Sequence, residues 1–173
     1  MSNEISELKA RLARLEAKEA CVSRFNEYLY SVDGERPDEV LKIFAPDAEL
    51  ELMNFPPGAG QNTKFHGRAE IEPLFASMVG IIHRHHTANV SVNVNRDCAS
   101  ADLSAYLFTV VKHLLTGGMY EAKFKQTGGE WFISYMRITS TWGWTTPTDV
   151  PAFLDEAFGA GTMREGRPVK YEY

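Results

Sequence analysis

Cysteine is scarce in this chain: Cys21 and Cys98 are the only two in 173 residues, far apart and without a CxxC pair. That excludes a disulfide framework and makes the reducing cytoplasm the simplest compartment. Long apolar runs are missing too. No stretch approaches the ~20 uninterrupted apolar residues of a membrane-spanning helix. The opening MSNEISELKARLARLEAKEA alternates acidic and basic side chains where a signal peptide would carry an apolar core. Positive charge is in deficit, with 18 Lys and Arg against 23 Asp and Glu and a net charge of −5. Without a basic face to displace counterions from phosphates, nucleic acid is not an expected partner, and neither is a membrane. Internal repeats and low-complexity segments are absent as well. A chain of this length is most simply one domain, long enough to bury a sizeable core.

What is present reads as helices followed by strands. Ile5, Leu8, Leu12 and Leu15 follow 3-4-3 spacing with charged residues between them, an amphipathic stripe. The apolar pattern reappears out of phase at Val22, Phe25 and Leu29, so one long helix is expected from about residue 3 to 31. Its first half is suited to packing on a neighbouring subunit. Asp33-Gly34 supplies a turn, and Pro37 opens a second, short helix whose first turn carries Asp38 and Glu39. AELELM (48–53) alternates as a strand, NFPPGAGQNTKFHG reads as a loop, and RAEIEPLFASMVGII recovers helical spacing. From His83 onward strands dominate, with hairpins expected at NRDC, Gly117-Gly118 and Thr127-Gly128-Gly129. This order implies an α+β protein, with helices on one face of a curved, mostly antiparallel sheet. The last thirty residues differ: TDVPAFLDEAFG reads as a short docking helix with Phe153, Leu154 and Phe158 on one side.

The stretch IIHRHHTANVSVNVN concentrates three histidines, His83, His85 and His86, in four positions. A metal site would need three or four ligands converging on one point, and the neighbouring sequence offers no matching carboxylate. Solvent exposure is a second reading, because His83, His85, Thr87, Asn89, Ser91 and Asn93 share one polar parity. A polar-lined cavity or a bulge gives the same pattern. Proton transfer is the third: an imidazole titrates near neutrality, and a carboxylate partner fixes its tautomer and stabilises the imidazolium.

Three stretches together resemble the SnoaL-like group of the nuclear-transport-factor-2-like superfamily. FNEYLYSVDGERPDEVLKIFAPDAELEL is similar to that group's helix, Asp turn, helix and F-x-x-D-A strand. HGRAEIEPLF resembles its G-x-x-x-I helix, and RHHTANVSV with GGEWFISYMRI resembles its H-x-x-x-N and G-x-W-x-I strands. The resemblance implies a cone-shaped α+β barrel over residues 1–144 with an N-terminal helical arm, followed by a tail at 145–173. It also implies kinship with cofactor-free lyases: scytalone dehydratase, bile acid 7α-dehydratase and hexachlorocyclohexane dehydrochlorinase. Carried onto this sequence, their base falls on His85, its orienting carboxylate on Asp33, and a tyrosine of the bile acid enzyme on Tyr28.

The resemblance leads to the expectation of a lyase that uses no metal and no cofactor. Its substrate would be a cyclic or aromatic small molecule, losing water, halide or a carbon fragment. His113 is the nearest candidate for a second acid/base group. Arg137, Tyr135, Phe55 and Trp142 are candidates to bind substrate, with Tyr106, Phe108 and Trp144 as further aromatic lining. A homotrimer is implied. The alternatives are an isomerase or cyclase, or a non-catalytic small subunit or binding protein on the same fold.

Overall fold

A computed structural model describes residues 2–55, 60–81, 83–111 and 114–145. The expected C-terminal docking helix lies outside the described residues. Helix α1 (Ser2–Asp33) is followed by α2 (Pro37–Ile43), β1 (Phe44–Met53), β2 (Asn62–His66) and α3 (Gly67–Ala76). Strands β3 (His83–Val94), β4 (Ser100–Val111), β5 (Leu114–Thr127) and β6 (Glu130–Thr145) complete the described chain. Among the described residues the sheet has six strands in the order β2-β1-β6-β5-β4-β3. All neighbours are antiparallel except β1 and β6, which run parallel. It is, among the described residues, an open sheet with the helices packed on one face, and its end strands β2 and β3 do not pair with each other. Among the described residues, no helix is long and apolar enough to cross a membrane.

Two expectations about local structure change. The segment read as a loop after β1 contains β2, an exposed edge strand of sequence NTKFH paired only with β1. The Gly117-Gly118 pair is not a hairpin, because β5 runs straight through it. Close approach explains those glycines. A Cβ on Gly118 would sit 1.8 Å from the Thr139 carbonyl oxygen, and one on Gly117 would sit 2.3 Å from the Trp142 ring. The β5–β6 register slips at this point, so Thr141 has no opposite residue.

α1 carries two apolar seams. Ala17, Cys21, Phe25, Tyr28, Leu29 and Val32 recur at helical spacing and are buried against the sheet. Val40 and Ile43 of α2 and Ile71 and Phe75 of α3 join them. From the sheet come Leu50, Leu103, Ala105, Leu107, Tyr120, Ala122, Phe124, Ile133 and Met136. Tyr28 stands at the centre, edge-on to Phe44, Phe75 and Tyr120 with ring centroids 5.9–6.1 Å apart. Edge-to-face pairs of this kind each contribute about 0.5–1.5 kcal/mol beyond simple area burial. The other seam of α1, from Ile5 to Leu15, is exposed.

Candidate active site

The end of α1 is built to hold Asp33. The Arg36 N–H donates to the Ser31 carbonyl at 2.9 Å and the Glu35 N–H to the Val32 carbonyl at 3.1 Å. These paired bonds satisfy carbonyls that the helix itself leaves open. The left-handed residue such a closure needs is Glu35, at φ 55°, and not the neighbouring glycine. Gly34 serves the tight approach: a Cβ there would lie 2.9 Å from the Tyr30 carbonyl oxygen. The Glu35 carboxylate accepts the Gly80 N–H at 2.8 Å, tying the helix end to the turn before β3. Asp33 therefore lies in the last turn of the helix, two residues beyond the end expected from periodicity.

β3 supplies the partner through a break in its own pairing. Ala88 is opposite Tyr106 and Ser91 is opposite Ser104, so Asn89 and Val90 share the single residue Ala105. Asn89 takes a left-handed φ of 53°, as a β-bulge permits. The bulge reverses the strand's parity. Before it, His83, His85 and Thr87 are on the side of Leu107; after it, Val92 and Val94 are on the side of Leu103 and Ala101. The one polar parity of the sequence thus divides into an inward histidine segment and an outward Ser91 and Asn93.

His85 and Asp33 meet at two points. The His85 backbone N–H donates to Asp33 Oδ2 at 2.9 Å, and the ring Nδ1 is 2.5 Å from Oδ1. A carboxylate can only accept, so Nδ1 carries the proton and Nε2 is the ring atom left to exchange one. Both side chains are withdrawn from water, 8% exposed for His85 and 19% for Asp33. Arg84 Nη1 reaches the Asp33 carbonyl at 3.3 Å, and the Thr109 hydroxyl donates to the Arg84 carbonyl at 2.9 Å, bracing the backbone on either side.

The three histidines have three environments. His83 is buried with its ring parallel to that of His85, centroids 6.2 Å apart, and its Nδ1 has no hydrogen-bond partner among the described residues. Burial first, and the neighbouring imidazole after it, hold the His83 pKa below its ordinary value. His86 points outward, its ring 6.1 Å from that of Phe108.

Tyr28 is buried in the inner aromatic cluster, and its hydroxyl interacts with that of Tyr120. Burial, with the Asp33 charge adding to it, drives both phenols well above their ordinary pKa, so both remain protonated and can donate. The Tyr120 ring centroid is 6.5 Å from that of His85. Tyr120 therefore links Tyr28 to the His85–Asp33 pair, a connection that no motif in the sequence pointed to. Its only signal was its inward parity on β5, shared with Ala122 and Phe124.

The remaining candidates are elsewhere. His113 and the side chain of Trp144 fall outside the described residues. Phe55 is half-buried just beyond β1, its N–H donating to the Gln61 carbonyl at 3.2 Å. Tyr135, Arg137 and Trp142 stand on the outer face of the sheet, as do Tyr106 and Phe108. The structure does not bring these five to His85, because Leu103, Ala105, Leu107, Met136 and Ile138 take the inward parity of the same strands. Arg137 Nε and the Tyr135 hydroxyl instead contact Glu51 Oε2 at 2.8 and 2.9 Å, while Lys64 binds the other oxygen. Hydrogen bonds from Lys64 and then Arg137 hold the Glu51 carboxyl down to about 2. This network borders an outer cleft of about 430 Å³ lined by Ser91, Asn93, Asp102, Glu121 and Lys123 among others.

Comparison with known proteins agrees with this architecture. The SnoaL-like domain profile matches residues 13–137. A scytalone dehydratase-like protein of Novosphingobium aromaticivorans superposes with a TM-score of 0.67 at 16% identity, over 78% of this chain and 91% of its own. Hexachlorocyclohexane dehydrochlorinase of Novosphingobium barchaimii gives 0.67 at 17% identity, over 82% of this chain and 99% of its own. A candidate aromatic ring hydroxylase of N. aromaticivorans gives 0.64 at 23% identity, over 76% and 94%. At these identities the likeness is one of fold. No curated protein matches the chain.

Proposed function

The chain belongs to the SnoaL-like domain family, and from that membership and the His85–Asp33 geometry we propose that it is a cofactor-independent lyase. The substrate class is a cyclic or aromatic small molecule, and loss of water is the favoured outcome. The observation that carries this reading is the two-point attachment of His85 to Asp33 in a largely water-excluded setting. His85 Nε2 takes a proton from a substrate carbon. The C–H electron pair becomes the new double bond as the oxygen on the adjacent carbon departs. Asp33 holds the tautomer and stabilises the imidazolium, which is the established role of a carboxylate in such a pair. The protonated Tyr28–Tyr120 pair polarises or protonates the departing oxygen. In this reading the working form is a cytoplasmic homotrimer. Exposed Tyr106, Phe108, Met119 and Trp142 on the outer sheet face support self-association.

The test is a panel of hydroxylated aromatic and steroid-like compounds, followed for loss of water by absorbance and mass. His85→Ala is expected to lower turnover by ~100- to 10,000-fold with the melting temperature nearly unchanged. Near-normal turnover in that variant would reject the assignment. The second reading, a non-catalytic small subunit, is favoured only by the likeness to the ring-hydroxylase candidate. A large partner co-purifying with the chain would support it.

A further inference from the structure

The exposed half of α1 presents a seam that its own domain does not cover. Ile5, Leu8, Leu12 and Leu15 are 54–64% exposed. At ~100° per residue they point nearly opposite to Ala17, Cys21, Phe25 and Tyr28, the buried seam of the same helix. Arg14, on the inward side, donates to the Val94 carbonyl at 3.4 Å, which fixes the rotation of the arm against β3. The outward stripe is therefore not a frayed end awaiting its own core.

We propose that this stripe packs in parallel against the same stripe of neighbouring copies of this chain, about the three-fold axis of the homotrimer on which this inference rests. Heptad spacing puts Ile5 and Leu12 at a, Leu8 and Leu15 at d, Lys9 and Glu16 at e, and Glu4 and Arg11 at g. In a parallel pairing each g residue faces the e residue of the next heptad on the other chain. That sets Glu4 against Lys9 and Arg11 against Glu16, opposite charges in both cases. An antiparallel pairing that buries all four apolar residues would instead put Lys9 against Lys9 and Arg11 against Arg11. Charge thus selects the orientation. Two heptads do not hold a coiled coil by themselves, so the arms join because the folded domains already bring them together, and they add specificity to that contact. The competing occupant is the chain's own segment 146–173, with its apolar Phe153, Leu154 and Phe158.

The experiment uses the full-length protein with Cys98→Ser, so that the buried Cys21 is the only native thiol. Leu8→Cys is introduced and the protein is mildly oxidised. Parallel packing places the positions 8 side by side, and most chains are expected to run as covalent dimers on a denaturing gel, with one chain of each trimer left unlinked. An antiparallel pairing would link Leu8→Cys chains to Leu12→Cys chains in an equimolar mixture and leave each variant alone unlinked. Occupation by segment 146–173 would give no link between chains. Either result overturns the proposal. Independently, Arg11→Glu should raise the concentration at which the assembly dissociates by roughly 5- to 10-fold, and Arg11→Glu/Glu16→Arg should restore it. Identical behaviour of the single and double variants would also overturn it.

Discussion

Both carboxylate oxygens of Asp33 are committed to one residue, His85, one to its ring and one to its backbone N–H. The backbone contact fixes where the strand lies relative to the helix end. The ring contact decides which imidazole nitrogen carries the proton. Asp33→Asn separates the two roles, since the amide keeps the shape but offers only one acceptor. The expected result is turnover reduced by ~100- to 10,000-fold with little change in melting temperature. Nitrogen NMR of the imidazole supplies a readout that needs no substrate. The native protein should show a protonated Nδ1, and the variant should lose that preference. An unchanged tautomer in Asp33→Asn would remove the orienting role.

Tyr120 offers a second test. Tyr120→Phe keeps the ring and its edge-on contacts with Phe25 and Tyr28 but deletes the hydroxyl. Turnover should fall about 10- to 100-fold if the phenol pair serves the departing oxygen. Stability should fall by about 1–3 kcal/mol, because the Tyr28 hydroxyl is left buried without its partner. Tyr28→Phe/Tyr120→Phe should recover part of that stability and none of the activity, as read from kcat and thermal melting.

The bulge makes its own prediction. Asn89 holds a left-handed backbone that asparagine tolerates and glycine adopts freely. Asn89→Gly should leave the denaturation midpoint close to native. Asn89→Val should cost about 1–2 kcal/mol, the penalty for forcing a branched side chain into that region. Equal effects would mean that the strand does not depend on this conformation.

Acid should act through Glu51. Its carboxyl is held down to about 2 by Lys64 first and Arg137 next, against an ordinary 4.5. A depressed carboxylate contributes its full stability above the ordinary pKa and loses it as pH falls through the depressed one. Stability should therefore decline between pH 4.5 and 2, measured by denaturant unfolding across that range. Glu51→Gln should be less stable at neutral pH and should show a shallower decline over the same interval.

Much of the framework was legible in the sequence, and the exceptions have physical causes. The 3-4 spacing of Phe25 and Leu29, the Pro37 helix start and the F-x-x-D-A strand all act locally, so the chain displays them directly. β2 escaped notice because an exposed edge strand needs no apolar alternation, and Asn62, Thr63 and Lys64 show none. The direction of His85 could not be read from parity, since the bulge at Asn89 reverses it within one strand. The placement of Arg137 depended on a contact with Glu51, 86 positions away, across the parallel pairing of β1 and β6. Tyr120 is one aromatic among several, and only the folded sheet sets it beside both Tyr28 and His85.

The tether between the Glu35 carboxylate and the Gly80 N–H joins two segments that the chain keeps far apart, a few residues away from the Asp33–His85 contact. The helix end that carries Asp33 is thereby tied to the turn that leads into the strand of the proposed base. A reactant arriving at such a site would meet a proton acceptor already aimed by the fold.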